Sequence, residues 1–376
     1  MDGGLKMSSV ASLYPSRIAA LRSKMKENDV DALIVSATSD MLYLIGRKLP
    51  NTERFNALIL GQTGNPYLVV PELQYPLVAS LVENAEIITW AETTDPIRVA
   101  SDLLHRLDAR SVAVDGLMRG AFLLRLQERV GRQVRFSDGT PLTAQVRLLK
   151  DADEIVRLTD AGGRFDAIWE AFWKNGRLVG VSEREVVEQI RKLLFAHGFD
   201  TMEWCDVGSG PNGASPLHHH SDRIIQPGDP VVIDFAGTIG GYFMDTCRTP
   251  VAGTPLPGFI EIHEITRKAH EAANERARPG IAAGDVDQAA RDVIAKAGYG
   301  ERFMHRLGHG LGLDAHEEPY IIAANRLRLQ PGMVYSNEPG IYIDGKWGVR
   351  IEDIILMTSD GARSLNSATR DLVSMN

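Results

Sequence analysis

The chain has 376 residues, 44% of them hydrophobic and 24% charged, with a formal net charge of −8. That length suggests two domains or one large one, with enough apolar content for a real core. An acidic chain without a basic tract argues against nucleic-acid binding, and two cysteines do not make a disulfide framework; no apolar run reaches the roughly 18 residues of a membrane span.

The start, MDGGLKMSSVASLYPSR, lacks the apolar core of a signal peptide, so the cytoplasm is the expected location. Ser16 reads as the N-cap of a helix through RIAALRSKMKEN, where Ile18, Leu21 and Met25 recur near helical spacing. DALIVS, NALILG and PYLVVP read as strands, the last two separated by the turn residues of GQTGN. A helix in DPIRVASDLLHRL and a strand in SVAVDG follow. Strands recurring between helices make residues 1–146 an α/β layer domain. It carries no cluster of His, Asp, Glu or Cys at ligand spacing.

Residues 147–376 follow a different pattern and form a second, α+β domain. A long amphipathic stretch from Arg147 is weakly broken at Gly162-Gly163, and Ser182 caps a second helix that stops at Gly198. Strands from about Met202 to Arg248 come next, then helices in FIEIHEITRKAHEAANERARPG and AGDVDQAARDVIAKAGYG, then strands around Val334 and Ile351. The order suggests two similar halves.

Three constellations in this domain carry chemistry. In VVIDFAGTIGGYFMDTCRT, Asp234 and Asp245 sit in two apolar runs joined by a turn centred on Ile239-Gly240. Pairing as a hairpin sets them opposite each other, roughly 4.5–5.5 Å apart. Like charges at that distance repel unless a cation lies between them, or unless one is exposed and the other pairs with Arg248. In HRLGHGLGLDAHEEP, Gly308, Gly310 and Gly312 surround His309 and let a ligand approach; His305 lacks that setting and reads as structural. In VYSNEPGIYIDGKWGVRIEDIILMT, Glu338 ends one strand and Glu352 lies inside another. Asp353 points to the opposite face, and Arg350 shares the face of Glu352, so a plain Glu352–Arg350 ion pair is the competing reading.

Taken together, Asp234, Asp245, His309, Glu338 and Glu352 bring four negative charges and one imidazole. Two divalent cations match that charge, and an oxygen-rich set with one imidazole suits Mn, Co or Zn. Paired metals hold a water as hydroxide near neutral pH, which is chemistry for hydrolysing an amide or related bond.

The segments IDFAG, YFMDTCRT, GHGLGLDAHEEP, NEPGIYI and VRIEDIIL, in that order, resemble the pita-bread-fold metallopeptidases: proline aminopeptidases, prolidases, methionine aminopeptidases and the metal-free creatinases. The resemblance implies a C-terminal pita-bread catalytic domain behind a smaller creatinase-type α/β domain. It implies that Asp234 and Asp245 ligate one metal, that Asp245 and Glu352 bridge to a second, and that His309 and Glu338 complete it. It makes Glu338 the proton shuttle and His316 the residue that stabilises the tetrahedral intermediate. Tyr342 and Arg350 fall at substrate-pocket positions. The implied activity is metal-hydroxide cleavage of Xaa-Pro bonds in dipeptides or short proline-containing peptides, by a homodimer. The alternative is a creatinase-like or cyclic-amidine hydrolase acting on a non-peptide C–N bond.

Two positions depart from the family pattern. Cys247 stands where a hydroxyl is usual and reads as a packing substitute. In GPNGASPLHHHSD, Leu217 follows Pro216 where the family has a substrate-facing histidine. A shift of one residue brings His218 to that place; an extended chain instead directs His219 there. His220 reads as a solvated loop residue.

Overall fold

A computed structural model describes residues 10–79 and 85–376 of the chain. It divides into two compact units between Arg147 and Leu148. No helix among the described residues is long and apolar enough to cross a membrane.

The first unit is built on a mixed sheet of β1 (Ala32–Ser36), β2 (Ala57–Gly61), β3 (Tyr67–Pro71), β4 (Glu86–Trp90), β5 (Ser111–Val114) and β6 (Arg135–Asp138), in the order β4-β3-β2-β1-β5-β6. Its helices are α1 (Val10–Glu27), α2 (Ser39–Ile45), α3 (Tyr75–Val78), α4 (Pro96–Arg106), α5 (Gly120–Val130) and α6 (Thr140–Arg147). β1 and β2 are buried at every position, which is why ALIVS and ALILG read as unbroken apolar runs. Ile34, Ile59, Val69 and Val112 of the sheet share one core with Leu103, Leu104 and Leu126 of α4 and α5. The sequence reading passes over β4 and β6 because half-exposed edge strands such as RFSD carry little apolar signal. Ser16 is not a cap: α1 already runs from Val10 and includes Pro15. Pro15 gives up one backbone hydrogen bond to the preceding turn, and α1 nevertheless runs through it to Ser16.

The second unit opens with α7 (Ala152–Asn175) and α8 (Glu183–Ala196), each started by a capping box, Asp151 with Glu154 and Ser182 with Glu185. β7 (Thr201–Ser209), β8 (Val231–Ile239) and β9 (Tyr242–Arg248) form an antiparallel sheet. Phe165 and Trp169 of α7 pack on Phe235 of β8, with ring centroids 4.9 and 5.3 Å apart. After the short β10 (Val251–Ala252), helices α9 (Phe259–Arg276) and α10 (Ala283–Lys296) follow. A second antiparallel sheet holds β11 (Gly308–Gly310), β12 (Glu317–Ile321) and β13 (Val334–Asn337), then β16 and β17 after a separate hairpin. That hairpin is β14 (Gly340–Ile343) with β15 (Trp347–Arg350); β16 is Asp353–Thr358 and β17 Gly361–Ser364. The terminal β18 (Ser374–Met375) pairs with β10. Phe259, Ile262 and Ile294 of α9 and α10 share a core with Tyr335 and Ile355 of this sheet. Helix pair followed by antiparallel strands thus occurs twice.

The break read at Gly162-Gly163 is absent; α7 is continuous. A Cβ on Gly162 would overlap the Leu365 carbonyl oxygen, so this glycine serves close packing rather than helix termination. Gly163 is exposed, with open space where a Cβ would go. Gly163→Ala should therefore raise stability by about 1 kcal/mol through helix propensity. Gly162→Ala should lower it by about 1–3 kcal/mol through overpacking. Thermal unfolding of the two variants should shift in opposite directions, and shifts of one sign reject the assignment.

Candidate metal centre

The β8–β9 hairpin turns on Gly240-Gly241, both at positive φ (58° and 85°). Two such residues fit a primed two-residue turn that glycine adopts without strain. This centre lies one residue beyond the Ile239-Gly240 pair taken from the sequence. The shift sets Ile239 opposite Tyr242 and so fixes the ladder: Asp234 faces Cys247, and Asp245 faces Ala236. The two aspartates are therefore diagonal neighbours on one face, not directly opposed.

The second carboxylate pair is set by β13 and β16. Their register runs from Val334↔Leu356 to Asn337↔Asp353. One step further brings Glu338 and Glu352 into line, with the β14–β15 hairpin inserted between them. Glu352 N donates to Cys247 O at 3.0 Å, and these two residues form a bridge that joins the sheets. Cys247 is wholly buried at this seam.

His309 enters from β11. A Cβ on Gly308 would overlap the Ser336 backbone and one on Gly310 the Glu318 backbone, so only glycines allow the strand this close. His309 N donates to Ser336 Oγ (3.0 Å), and its Nδ1 lies 3.1 Å from Gly310 O. A carbonyl only accepts, so the neutral ring carries its proton on Nδ1. Nε2 is left facing Glu338 Oε1 at 3.3 Å and Asp245 Oδ2 at 3.9 Å. A bare imidazole nitrogen against two carboxylates requires a proton or a metal between them.

One ligand atom each from Asp245, His309 and Glu352 lies within 4.8 Å of the other two. All three residues are buried, and Asp245 Oδ1 and Glu352 Oε2 have no hydrogen-bond partner. Burial, then the charges of Asp234 and Glu338, hold Asp245 well above the usual carboxylate range. Burial, then Asp245 and Glu338, do the same to Glu352. Burial also pushes Glu338 up, but the hydrogen bond and charge of His309 outweigh it and bring that carboxyl to about 2. Orphaned carboxylate oxygens beside the His309 imidazole are a donor set that a divalent cation fits.

Asp234 stands differently. Trp204 Nε1 donates to its Oδ1 (2.7 Å), and Arg350 donates twice to its Oδ2 (3.0 and 2.6 Å). Arg350 thus pairs with Asp234 rather than with Glu352, because β15 belongs to the inserted hairpin and not to the ladder of β16. Arg350 also donates to Tyr342 Oη (2.7 Å) and Pro216 O (3.3 Å). Tyr342 Oη lies 3.0 Å from His305 Nε2, and His305 Nδ1 lies 2.7 Å from Arg306 O. The carbonyl again fixes the tautomer, so Tyr342 donates to His305. The sequence reading set His305 aside as structural; its place four residues before His309 was the available signal. His316 packs edge-on to His309, centroids 4.0 Å apart, with its pKa lowered to about 4 by partial burial and the charges of His309 and Arg306.

The three histidines of the loop after β7 separate. His218 Nε2 donates to Glu183 Oε2 at 3.0 Å. His219 is 85% exposed and pairs with Asp206 at 2.9 Å. His220 is half-buried, its Nδ1 3.3 Å from Cys205 O. Leu217 is 83% exposed. Glu183, buried at the start of α8, accepts from Ser209 N and Oγ, Asn212, His218, and Ser221 N and Oγ, at 2.6–3.0 Å. Burial raises its pKa, but these donors outweigh it and hold the carboxyl at about 2. Sequence reasoning missed Glu183 because an acid in the first turn of a helix ordinarily needs only the helix dipole.

Residues 17–149 match the model of the creatinase/prolidase N-terminal domain, and residues 157–359 that of metallopeptidase family M24. A probable dipeptidase PepE from Mycobacterium tuberculosis is 37% identical over 370 residues, covering 96% of this chain and 97% of that one. An Xaa-Pro dipeptidase from Lactobacillus helveticus is 33% identical, covering 94% of this chain and 97% of its own. The crystal structure of a prolidase from Thermococcus sibiricus superposes with a TM-score of 0.92 at 33% identity, covering 98% and 100% of the two chains.

The repulsion between Asp245 and Glu352 makes a counterintuitive outcome testable. Glu352→Gln removes one charge from a buried cluster, so the metal-free variant should be as stable as the wild type or more so, by about 1–2 kcal/mol. Adding Mn²⁺ should raise the melting temperature of the wild type and leave the variant unmoved. Differential scanning calorimetry checks both; a variant that gains stability from Mn²⁺ as the wild type does removes Glu352 from the centre.

Proposed function

The chain belongs to metallopeptidase family M24 and carries a creatinase/prolidase N-terminal domain; from that premise we propose that it cleaves Xaa-Pro bonds of dipeptides or short peptides. The observation that carries this reading is the buried Asp245–His309–Glu352 group with its unpartnered carboxylate oxygens. The printed activity of the Lactobacillus relative supports the substrate class.

In this proposal Asp234, Asp245, His309, Glu338 and Glu352 hold two divalent ions of the Mn, Co or Zn class. Bound there, such ions supply Lewis acidity toward the scissile carbonyl and activate water at neutral pH. Glu338, oriented by Ser336 Oγ at 2.9 Å, takes the proton of the attacking water and returns it to the departing proline nitrogen. His316, beside His309, donates to the oxygen that gains charge in the transition state. Arg350 holds Asp234 in place through the hydrogen bonds above, and the buried Tyr342, expected from the family pattern at the substrate pocket, steadies that guanidinium instead. His218 acts through the loop, since its Nε2 is committed to Glu183. Both cysteines are free and buried, which supports a reducing, cytoplasmic location; the homodimer rests on the family resemblance.

Leu217 favours a second reading. An exposed aliphatic residue stands where the family pattern has a substrate-binding imidazole, which suits a creatinase-like or cyclic-amidine hydrolase of a non-peptide C–N bond.

The purified protein with added Mn²⁺ should hydrolyse Ala-Pro and lose that activity on chelation. Glu338→Gln should lower kcat by at least about 100-fold, as expected for a removed general base. Cleavage of small cyclic amides with no turnover of Ala-Pro selects the second reading. His218→Ala should lower kcat/KM by about tenfold and reduce thermal stability, because it leaves a buried carboxylate short of a donor. His219→Ala should stay within about twofold of wild type, as an exposed ion pair implies. Wild-type rates for both remove His218 from the working loop.

A further inference from the structure

Asp206 is not used by the arrangement above. It lies on β7 directly opposite Asp234, which lies opposite Cys247, which in turn bridges to Glu352. Residues paired in this way point to the same face. Asp206, Asp234, Cys247 and Glu352 therefore form one row from β7 to the seam between the sheets. Side-chain exposure falls along it, from 23% at Asp206 and 11% at Asp234 to the buried Cys247 and Glu352. The other face of this sheet is closed by α7, which meets Phe235 and Thr246 there. The row thus leads from solvent to the carboxylate cluster, where Asp245 Oδ1 is buried on the same face without a hydrogen-bond partner.

Two aspartates directly opposed repel, and only one of them is firmly answered. Arg350 and Trp204 hold Asp234. Among the described residues Asp206 meets only His219, whose Nδ1 lies 2.9 Å from its Oδ1, and Oδ2 accepts no hydrogen bond. His219 is exposed, and so open a pair contributes little and is readily displaced. Trp204, two residues before Asp206 and half-buried on the same face, adds an aromatic surface. A carboxylate beside an indole is a combination that attracts a cation.

Reach selects the cation. Strands lie about 4.7–4.9 Å apart, so β7 stands roughly 9–10 Å from β9, which carries Asp245. The α-amino group of an Xaa-Pro dipeptide stays within one residue of the scissile bond, about 3.8 Å of chain, and Asp234 stands between it and Asp206. A lysine or arginine side chain on the residue before proline extends farther and carries its charge at the tip.

We infer that Asp206, beside Trp204, binds the ammonium or guanidinium of a basic residue preceding proline, displacing His219, and so makes Lys-Pro and Arg-Pro preferred substrates. This rests on the Xaa-Pro reading above and names the residue class taken before proline.

Lysine and norleucine share a four-carbon stem and differ in the terminal charge. The test therefore compares Lys-Pro with norleucyl-proline on Mn²⁺-loaded wild type, Asp206→Asn and His219→Ala. Wild type should favour Lys-Pro by about tenfold in kcat/KM, mainly through KM, as expected for one charge-assisted contact. Asp206→Asn should lose that factor on Lys-Pro alone and treat norleucyl-proline as the wild type does, which also certifies its fold. His219→Ala should keep or enlarge the preference, because it removes only the competing imidazole. A wild type without preference for Lys-Pro, equal losses on both substrates in Asp206→Asn, or a preference lost with His219, each overturns the inference while leaving the Xaa-Pro reading in place. A wild type that cleaves neither substrate overturns both.

Discussion

The constraint on which the second unit depends is the mutual repulsion of buried carboxylates. Asp245 and Glu352 are wholly enclosed and lie close to Glu338 and Asp234. Among the described residues Glu352 has no ion-pair partner and Asp245 meets only the edge of His309 at 3.9 Å, whereas Arg350 answers Asp234 and His309 lies closer to Glu338. Holding unanswered charge in an apolar interior costs several kcal/mol per ion. The fold supplies that stability from outside the cluster, through two antiparallel sheets and the helix pairs packed on them. A divalent cation bound among these oxygens would relieve that cost, and the relief would add to its affinity.

The stiffness needed to hold it comes from alternation along one short stretch. Arg350, Glu352 and Asp353 send charge in different directions. Arg350 turns to Asp234; Glu352 turns to the cluster; Asp353 turns away, to Arg248 (2.7 Å), Asn366 (2.8 Å) and Arg370. Arg248 also donates to the backbone carbonyls of Cys247, Glu352, Ala368 and Thr369. One guanidinium therefore ties the end of β9 to the start of β16 and to the C-terminal segment. The backbone of Glu352 is fixed by a charge on the far side of the strand, so the ligand position does not depend on the ligand being bound.

Much of this was legible in the chain. The apolar runs of β1, β2 and β3 and the capping boxes of α7 and α8 are local signals, and local physics decides them. Asp245, His309 and Glu352, which the structure gathers, stood out in the chain because carboxylates in apolar runs such as YFMDTC and VRIEDIIL, and an imidazole among glycines, are unusual. What stayed hidden was set by position in space. The diagonal offset of Asp234 and Asp245 follows from which two residues make the turn, and a shift of one residue moved every partner. The partner of Arg350 was out of reach, since the β14–β15 hairpin interrupts a register that otherwise lines up Glu338 and Glu352, and the competing Glu352–Arg350 pair is not formed. Glu183 could not be found at all, since its donors come from segments 26 to 38 residues away.

Glu183 has a further consequence for the loop that follows β7. Its two oxygens are saturated by Ser209, Asn212, His218 and Ser221, which anchor both ends of the stretch and two points inside it. The shape of the loop is therefore written by residues that face inward, and Pro216 O is delivered to Arg350 as part of that shape. Leu217 and His219 project into solvent and bear none of this load. Form and chemical character are thus carried by separate residues in one dozen positions. Such a loop is free to exchange its outward side chains while the carbonyl that meets Arg350 stays where it is.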